Sequence, residues 1–226
     1  MEFNEHDIGS MFDSIAYRYD LLNHLLSGYT DVRWRKKAVR VSLDKGIRNI
    51  LDVSTGTGDL AVAYKRAGYG YNIFGVDISM EMLKRASLKT TDTGFIKASA
   101  LSLPFRDNTF DLLSCAFGIR NIYPRETGLK EFHRVLKPNG VLMILEFSMP
   151  AGFFGKVYKF YFENILQKIG AFFTKTGAYS YLTSSVEEFP DSKGFSKKID
   201  SAGFKDTKVI PLTYGIATIY KAVNMP

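Results

Sequence analysis

The sequence predicts an α/β fold in which helices cover both faces of a seven-stranded, mostly parallel sheet with an antiparallel last strand. One observation is a strand, a glycine-rich loop and a helix in immediate succession between residues 49 and 66. A second is the repeated alternation of short apolar runs with runs of helical spacing. A third is the length of 226 residues with 46% hydrophobic content, which suffices for one well-packed domain, residues 1–226.

Residues 1–45 precede the first strand and are predicted to form a helical cap. Between Met11 and Trp34, aromatic residues and paired leucines recur at helical spacing. This pattern predicts a helix that covers an apolar surface.

The core, residues 46–148, begins with the segment that reads N-I-L-D-V-S-T-G-T-G-D-L, from Asn49 to Leu60. Gly56 and Gly58 can take positive φ and let a ligand approach the backbone, and the helix opened by Asp59 presents unpaired N–H groups. The segment is therefore predicted to cradle a nucleoside. Read as G-x-G-x-x-A, it also matches a dinucleotide-binding fingerprint, and a turn without a ligand is the plain alternative.

Three further strands are predicted at Asn72–Asp77, Gly94–Lys97 and Phe110–Ala116. Asp77 ends its strand about 20 residues after the glycine loop, where a carboxylate can accept hydrogen bonds from both ribose hydroxyls. Ser79 is expected to cap the next helix. Ligands of open α/β sheets lie beyond the carboxyl ends of the strands, so the segment F-G-I-R-N after the fourth strand should deliver polar groups to a crevice there.

Residues 149–190 have no place in a minimal sheet and are predicted to form a helical lid, rich in aromatic residues, after the fifth strand. Residues 191–226 should contain a helix, Lys193–Ala202, and two final strands, Asp206–Leu212 and Ile216–Ala222. Glu146 at the end of the fifth strand is either solvated or directed at the substrate.

The glycine segment resembles class I S-adenosylmethionine methyltransferases, which have a Rossmann-like fold. Asp52 stands four residues before Gly56 and fits their motif [DE]-x-G-x-G-x-G, with Ser54 in the place of the first glycine. The resemblance implies that Ile78 packs on the adenine and that Ala100 contributes its N–H group to the ring.

Further segments resemble the UbiE/COQ5 group of quinone C-methyltransferases. They are Y-D-L-L-N-H-L-L-S followed by Trp34, then F-G-I-R-N, and R-V-L-K-P-N-G-V-L-M-I-L-E-F-S. The chain departs from the usual pattern at Leu22, Asp31 and Asn139, and has Ser99 where an acid or amide more often meets the adenine amino group. Asn tolerates the left-handed conformation, so the turn at Asn139 should survive.

The two resemblances together imply a set of site residues. Arg120 is expected to stabilise a substrate phenolate, Asn121 to orient the hydroxyl or a water, and Tyr19 is a further catalytic candidate. The expected cofactor-binding residues are Asp52, Ser54, Gly56, Thr57, Gly58, Asp77, Ile78, Ser99, Ala100 and Ala116.

The implied reaction is methyl transfer from S-adenosyl-L-methionine to a ring carbon of a prenylated quinol, either demethylmenaquinol or 2-polyprenyl-6-methoxybenzoquinol. The alternative is a methyltransferase of another lipophilic small molecule, such as a sterol, a phospholipid or an aromatic acid. A nucleic-acid methyltransferase would use the positive charge, but the chain has no N-P-P-[YF] motif, so no nucleic-acid partner is expected. A non-catalytic cofactor binder would leave F-G-I-R-N unexplained.

Composition adds limits on compartment and partners. The single cysteine, Cys115, excludes an internal disulfide, and the three histidines lack ligand spacing, so no metal is expected. No leader resembles a signal peptide, and no apolar run approaches the roughly 20 residues of a membrane span. We therefore expect a cytoplasmic protein with at most peripheral contact at the inner face of the membrane, favoured by the net charge of +7. The sequence is compatible with a monomer or a homodimer.

Overall fold

The fold is organised around one twisted sheet, seen in a computed structural model that describes residues 4–43, 46–68, 72–150, 155 and 178–225. Within these residues the sheet has seven strands in the order β3-β2-β1-β4-β5-β7-β6. Strand β7 is antiparallel to both of its neighbours, and the other pairs are parallel. The strands are β1 (Asn49–Val53), β2 (Asn72–Asp77), β3 (Thr93–Lys97), β4 (Phe110–Ala116), β5 (Leu136–Phe147), β6 (Phe204–Leu212) and β7 (Ala217–Asn224). The predicted architecture is confirmed.

Helices pack on both faces of the sheet. The described residues contain α1 (Glu5–Ile15), α2 (Tyr19–Leu26), α3 (Thr30–Ser42), α4 (Asp59–Arg66), α5 (Met80–Lys89), α6 (Arg125–Val135), α7 (Ala178–Glu187) and α8 (Ser192–Ser201). The helical pattern predicted over Met11–Trp34 is broken twice, because Gly28 and Tyr29 take positive φ and a turn separates α1 from α2. Ser79 caps α5 by accepting a hydrogen bond from the Met82 N–H, as predicted.

Positive φ angles shape the loop between β1 and α4. Gly56 and Gly58 have φ of 56° and 81°, which confirms the reason for glycine at both positions. A Cβ on Gly58 would lie 2.9 Å from the Cβ of Ala86, so this glycine also permits close packing of α4 on α5. Ser54 takes φ of 54° without being glycine. Asn139 likewise takes a positive φ of 64°, so the predicted turn survives.

Strand order reverses between β1 and β4, which opens a crevice at the carboxyl ends of these strands. Leu51 and Leu113 pack into the apolar layer on one face of the sheet, and Ile50 and Leu112 into the layer on the other. All four side chains are fully buried, so the strands that end at the crevice form a fixed floor.

The predicted insertion, residues 149–190, is described in part. The helical structure predicted over 151–154 and 156–177 lies outside the described residues, whereas α7 belongs to the described part. None of the helices in the described ranges combines the length and the apolar character needed to cross a membrane.

Candidate active site

A cavity lies over the carboxyl ends of β1, β2 and β4, where the chain topology predicts a ligand. Helix α1 contributes Glu5, Ile8 and Phe12 to its wall. It is lined by eight of the predicted site residues: Tyr19, Ser54, Gly56, Asp77, Ile78, Ala100, Ala116 and Asn121. The structure therefore brings together residues that lie up to about a hundred positions apart in the chain.

Asp77 is held at the cavity wall by the backbone around it. Its Oδ2 accepts a hydrogen bond from the Gly56 N–H at 2.8 Å, and its Oδ1 accepts one from the Ser79 N–H at 2.9 Å. Burial raises the pKa of the carboxyl above its ordinary value, although these backbone donors act in the opposite direction. The carboxylate is thus fixed in orientation and keeps lone pairs for a ligand.

Asp52 lies beneath the loop rather than on the cavity wall. Its two oxygens accept hydrogen bonds from the hydroxyls of Thr55 and Ser114, each at 2.7 Å. The residue is 1% exposed, and this burial raises the pKa of its carboxyl to about 6. In the structure Asp52 therefore fixes the start of the loop, and direct contact with a ligand stays a prediction.

Asp52 should make the stability of the protein depend on pH in a defined direction. The native state binds a proton near pH 6, whereas the unfolded chain binds it near 3.8, so this group lowers the free energy of unfolding as pH rises between the two values. Asp52→Asn should therefore raise that free energy at pH 7.5 by up to about 3 kcal/mol and by much less at pH 4.5. Urea unfolding at both values checks this, with the exposed Asp92→Asn as control. An equal increase in the free energy of unfolding at both pH values would contradict a raised pKa of Asp52.

Thr57 and Gly58 are not among the residues that line the cavity. Lys89 Nζ donates to Thr57 Oγ1 at 2.9 Å and forms ion pairs of 2.6 Å with both Asp20 and Asp59. This cluster joins α2, α4 and α5 behind the glycine loop. The contribution of Thr57 and Gly58 is thus to the shape of the loop and to the position of α2.

Ser99 lies at the end of β3, outside the cavity wall, and its hydroxyl is used within the protein. Ser99 Oγ donates to Glu5 Oε1 at 2.6 Å and accepts from the Leu101 N–H at 3.0 Å. The hydroxyl at the position expected to meet the adenine amino group thus donates its proton to a carboxylate of α1. Glu5 itself lines the cavity.

Arg120 forms a buried ion pair next to the cavity. Its Nη1 lies 2.7 Å from Glu146 Oε1 and donates to the Phe117 carbonyl at 2.7 Å, and its backbone N–H donates to Glu146 Oε2 at 3.2 Å. Arg120 is 7% exposed and Glu146 is fully buried, so the solvated alternative for Glu146 is wrong. Within the described residues, the buried Nε of Arg120 has no hydrogen-bond partner.

Gly118 explains why F-G-I-R-N brings Arg120 to this position. A Cβ on Gly118 would lie 2.4 Å from the Cβ of Ser54, so only glycine fits against the first loop. Phe117 before it has φ of 57°, which turns the chain sharply out of β4 into the 3-10 turn Ile119–Asn121. The turn places Arg120 over Glu146.

Asn121 and Tyr19 complete the polar wall. Asn121 Oδ1 accepts a hydrogen bond of 3.0 Å from the hydroxyl of Tyr181, which belongs to α7. Burial raises the pKa of Tyr19, although the charge of Arg120 and a hydrogen bond with Asn23 lower it. The Tyr19 phenol is therefore protonated at neutral pH, so it can donate a hydrogen bond and is a poor base.

Trp34, which follows the first of the family-like segments, and His133, on α6, both pack against other side chains of the protein. Trp34 donates to Thr213 Oγ1 at 2.8 Å and packs on Phe117 and Phe147. His133 packs edge-on against Phe204, away from the cavity.

Asp31, at a position where the resemblance leads one to expect histidine, is buried in a polar cluster of the cap. It accepts from Ser27 Oγ at 2.7 Å, from His24 Nδ1 at 2.8 Å and from Arg35 Nη1 at 2.5 Å. Burial raises the pKa of Asp31, but the hydroxyl of Ser27 and the charge of Arg35 outweigh it, and the net pKa is lowered. Asp31 therefore joins α2 to α3.

The sequence did not reveal two residues at the site, nor the pairing of a third, Glu146. Glu5 and Tyr181 lie far along the chain from the motifs, in helices with no distinctive spacing. The pairing of Glu146 with Arg120 could have been suspected, since buried strand-end acids need a cation and Arg120 follows the neighbouring strand. Within the described residues, no three His, Cys, Asp or Glu side chains are grouped to hold a metal ion.

Comparison of folds finds solved structures with the same architecture over nearly the whole chain. A SAM-dependent methyltransferase from Thermotoga maritima superposes with a TM-score of 0.70 at 20% identity, covering 96% of this chain and 99% of that one. The [4+2]-cyclase SpnF also superposes with a TM-score of 0.70, at 17% identity, covering 98% of this chain and 96% of that one. At such identities the likeness establishes the fold alone.

Sequence comparison is more specific. The demethylmenaquinone methyltransferase of Thermus thermophilus is 43% identical over 216 residues, which cover 93% of this chain and 98% of that protein. The ubiquinone/menaquinone biosynthesis C-methyltransferase UbiE of Citrifermentans bemidjiense is 43% identical over 221 residues, 94% of each chain. Residues 1–224 match the profile of the ubiE/COQ5 methyltransferase family. The chain belongs to the ubiE/COQ5 methyltransferase family.

Proposed function

We propose that the protein transfers a methyl group from S-adenosyl-L-methionine to a ring carbon of a prenylated quinol, either demethylmenaquinol or 2-polyprenyl-6-methoxybenzoquinol. Family membership and the names of the relatives support the reaction class. The observation that carries the proposal is the buried guanidinium of Arg120, oriented by Glu146 beside the cavity, with Nε–H free of protein partners among the described residues.

The residues at the cavity fit S-adenosylmethionine, which supplies an electrophilic sulfonium methyl group when it is bound. A Cβ added to Gly56 would have one neighbour within 4 Å, an atom of the Tyr19 ring. Glycine therefore keeps this part of the cavity open. Asp77 offers a fixed carboxylate for the ribose hydroxyls, and Ile78 an apolar side chain for the base. The loop with Ser54 and Gly56 would face the amino-acid end.

Arg120 is assigned the activation of the acceptor carbon. A quinol hydroxyl that loses its proton places negative charge on the ring carbon next to it, and a fixed cation stabilises that charge. Glu146 and the Phe117 carbonyl hold the guanidinium in place before substrate arrives, so little reorganisation is needed. We assign its Nε–H, which has no partner among the described residues, as the donor to the phenolate oxygen.

Asn121 and Tyr19 are assigned to the orientation of the hydroxyl. The bond from Tyr181 occupies the Asn121 oxygen, so the amide N–H₂ group is available to a substrate oxygen or a water. The protonated phenol of Tyr19 can donate a second hydrogen bond. Holding donor and acceptor in line is the remaining requirement of the reaction.

A prenylated substrate resides in the bilayer, so we expect the protein to act at the inner face of the membrane. Its net charge of +7 suits anionic headgroups.

Methyl transfer from labelled S-adenosylmethionine tests the proposal. Reduced demethylmenaquinone and a 2-polyprenyl-6-methoxybenzoquinol are compared with the oxidised quinone as control. We expect labelled product from a quinol and none from the quinone, which has no hydroxyl proton to lose. Cofactor binding without product from either quinol would overturn the substrate class in favour of another lipophilic acceptor.

A further inference from the structure

We propose that Glu5, on the first turn of α1, binds the exocyclic amino group of the cofactor's adenine and selects adenine over other bases. The inference rests on the proposed use of S-adenosylmethionine and identifies the residue that would recognise its base.

The order of the strands gives the direction of the ligand in the cavity. The glycine loop follows β1, Asp77 ends β2, and Ala98 and Ala100 follow β3, and these three strands are adjacent in that order. If the amino-acid end lies at β1 and the ribose at β2, then the base lies beyond β3. Glu5 is at this third position, because it accepts the hydrogen bond from Ser99 just after β3.

Among the described residues that line the cavity, Glu5 is the anionic acceptor at this end. The adenine amino group has two protons to donate, and its best partner is an anionic oxygen. Ser99 Oγ already gives its proton to Glu5 and accepts one from the Leu101 N–H. In the part of the chain that the structure describes, the carboxylates that line the cavity are those of Asp77, assigned to the ribose, and Glu5.

The geometry leaves Glu5 capacity for a ligand. The bond of 2.6 Å from Ser99 uses Oε1, and a carboxylate has about four lone-pair sites on its two oxygens. Ser99 thereby acts as a positioning residue that fixes the carboxylate, while Glu5 contacts the base. The expected acid is thus supplied by a helix of the cap instead of by the strand end.

A base that carries an oxygen in place of the adenine amino group tests this contact. Hypoxanthine carries a carbonyl at the position of the adenine amino group, and a carboxylate repels this oxygen. The wild-type protein should therefore bind S-adenosylhomocysteine about 10- to 100-fold more tightly than S-inosylhomocysteine, the range expected for one hydrogen bond to a charged group. Titration calorimetry with the two nucleosides measures both affinities without any turnover.

Substitutions at Glu5 should change the preference itself. Glu5→Ala should weaken S-adenosylhomocysteine about 10-fold or more and reduce the preference over S-inosylhomocysteine by a similar factor. Glu5→Gln should bind the inosyl compound better than wild type does, because its amide N–H₂ can donate to the carbonyl. Adding Ser99→Asp to Glu5→Ala should restore the adenine preference, since the acid then returns to the strand end.

Asp7→Ala is the matched control, because Asp7 is an exposed acid in the same helical turn and lies outside the cavity wall. It should change neither affinity. If Glu5 only anchors α1, Glu5→Ala will weaken both nucleosides by the same factor and leave the preference intact, which would overturn the proposal. Failure of the wild-type protein to bind either nucleoside would instead overturn the cofactor assignment.

Discussion

Arg120→Lys is expected to lower kcat for quinol methylation about 100- to 1,000-fold, the usual cost of losing one donor aimed at developing negative charge. Lysine still offers a cation to Glu146, which lies 2.7 Å from the present guanidinium, so the fold should survive. It lacks the Nε–H donor and the planar geometry of arginine. Steady-state kinetics at saturating cofactor measure the loss, and calorimetry should show an unchanged affinity for S-adenosylhomocysteine.

A second variant separates catalysis from folding. Arg120→Ala alone would leave the fully buried Glu146 unpaired, which destabilises a protein by about 3–5 kcal/mol. The double variant Arg120→Met with Glu146→Gln removes both charges and should fold, bind cofactor and remain inactive. Arg106→Lys, at an exposed arginine, is the matched control. Near-normal turnover in Arg120→Lys or in the double variant would refute the electrostatic role.

Asp77→Ala is expected to weaken S-adenosylhomocysteine about 100-fold, because it removes a charged acceptor for two ribose hydroxyls at once. The folded protein should tolerate the change, since burial raises the pKa of this carboxyl and its charge is therefore costly to the native state. Calorimetry measures the affinity, and thermal unfolding without ligand checks the fold. Because protonation removes the charged acceptor, the affinity of the wild-type protein for S-adenosylhomocysteine should decline as pH falls towards the pKa of Asp77.

A ligand lacking the 2′-hydroxyl distinguishes direct contact from a disturbed loop. Asp77 also accepts the Gly56 N–H bond, so its removal could shift the loop and weaken binding indirectly. The 2′-deoxy analogue should bind wild type more weakly than the natural nucleoside and bind Asp77→Ala almost equally well. If the ratio of the affinities for the two nucleosides is the same in wild type and in Asp77→Ala, the contact between Asp77 and the ribose is excluded.

The sheet was predictable because its strands are marked locally. The boundaries of β1, β2 and β4 follow from short apolar runs that end in an acid, a glycine loop or a polar turn, and such signals do not depend on distant residues. The start of β6 was predicted two residues late and the end of β7 two residues short, because hairpin pairing extends both strands there, whereas the start of β7 was predicted one residue early. The break between α2 and α3 could not be predicted, because no sequence pattern marks the left-handed conformation of Tyr29, the residue before α3.

The site was predictable where one segment carries both the backbone geometry and the functional group. Gly56, Asp77 and Asn121 are such residues, and all three line the cavity. Asp52 and Arg120 were named from the same motifs, yet the structure shows protein partners for both, Ser114 and Glu146, which sit on other strands. Glu5 was missed because its contact with Ser99 joins residues 94 positions apart.

The contacts that hold α1 and α2 beside the cavity should affect the rate of cofactor release. Asp13 accepts bonds from Ser79 Oγ and the Glu81 N–H, and Asp20 accepts one from Thr57, so both helices are tied to the walls that hold the nucleoside. We expect spent cofactor to leave only after these contacts break, and steps of this kind set the turnover number of many enzymes. A burst of methylated product in the first turnover, followed by a slower steady rate, is the expected signature. The undocking of α1 and α2 would then be the rate-limiting step of turnover.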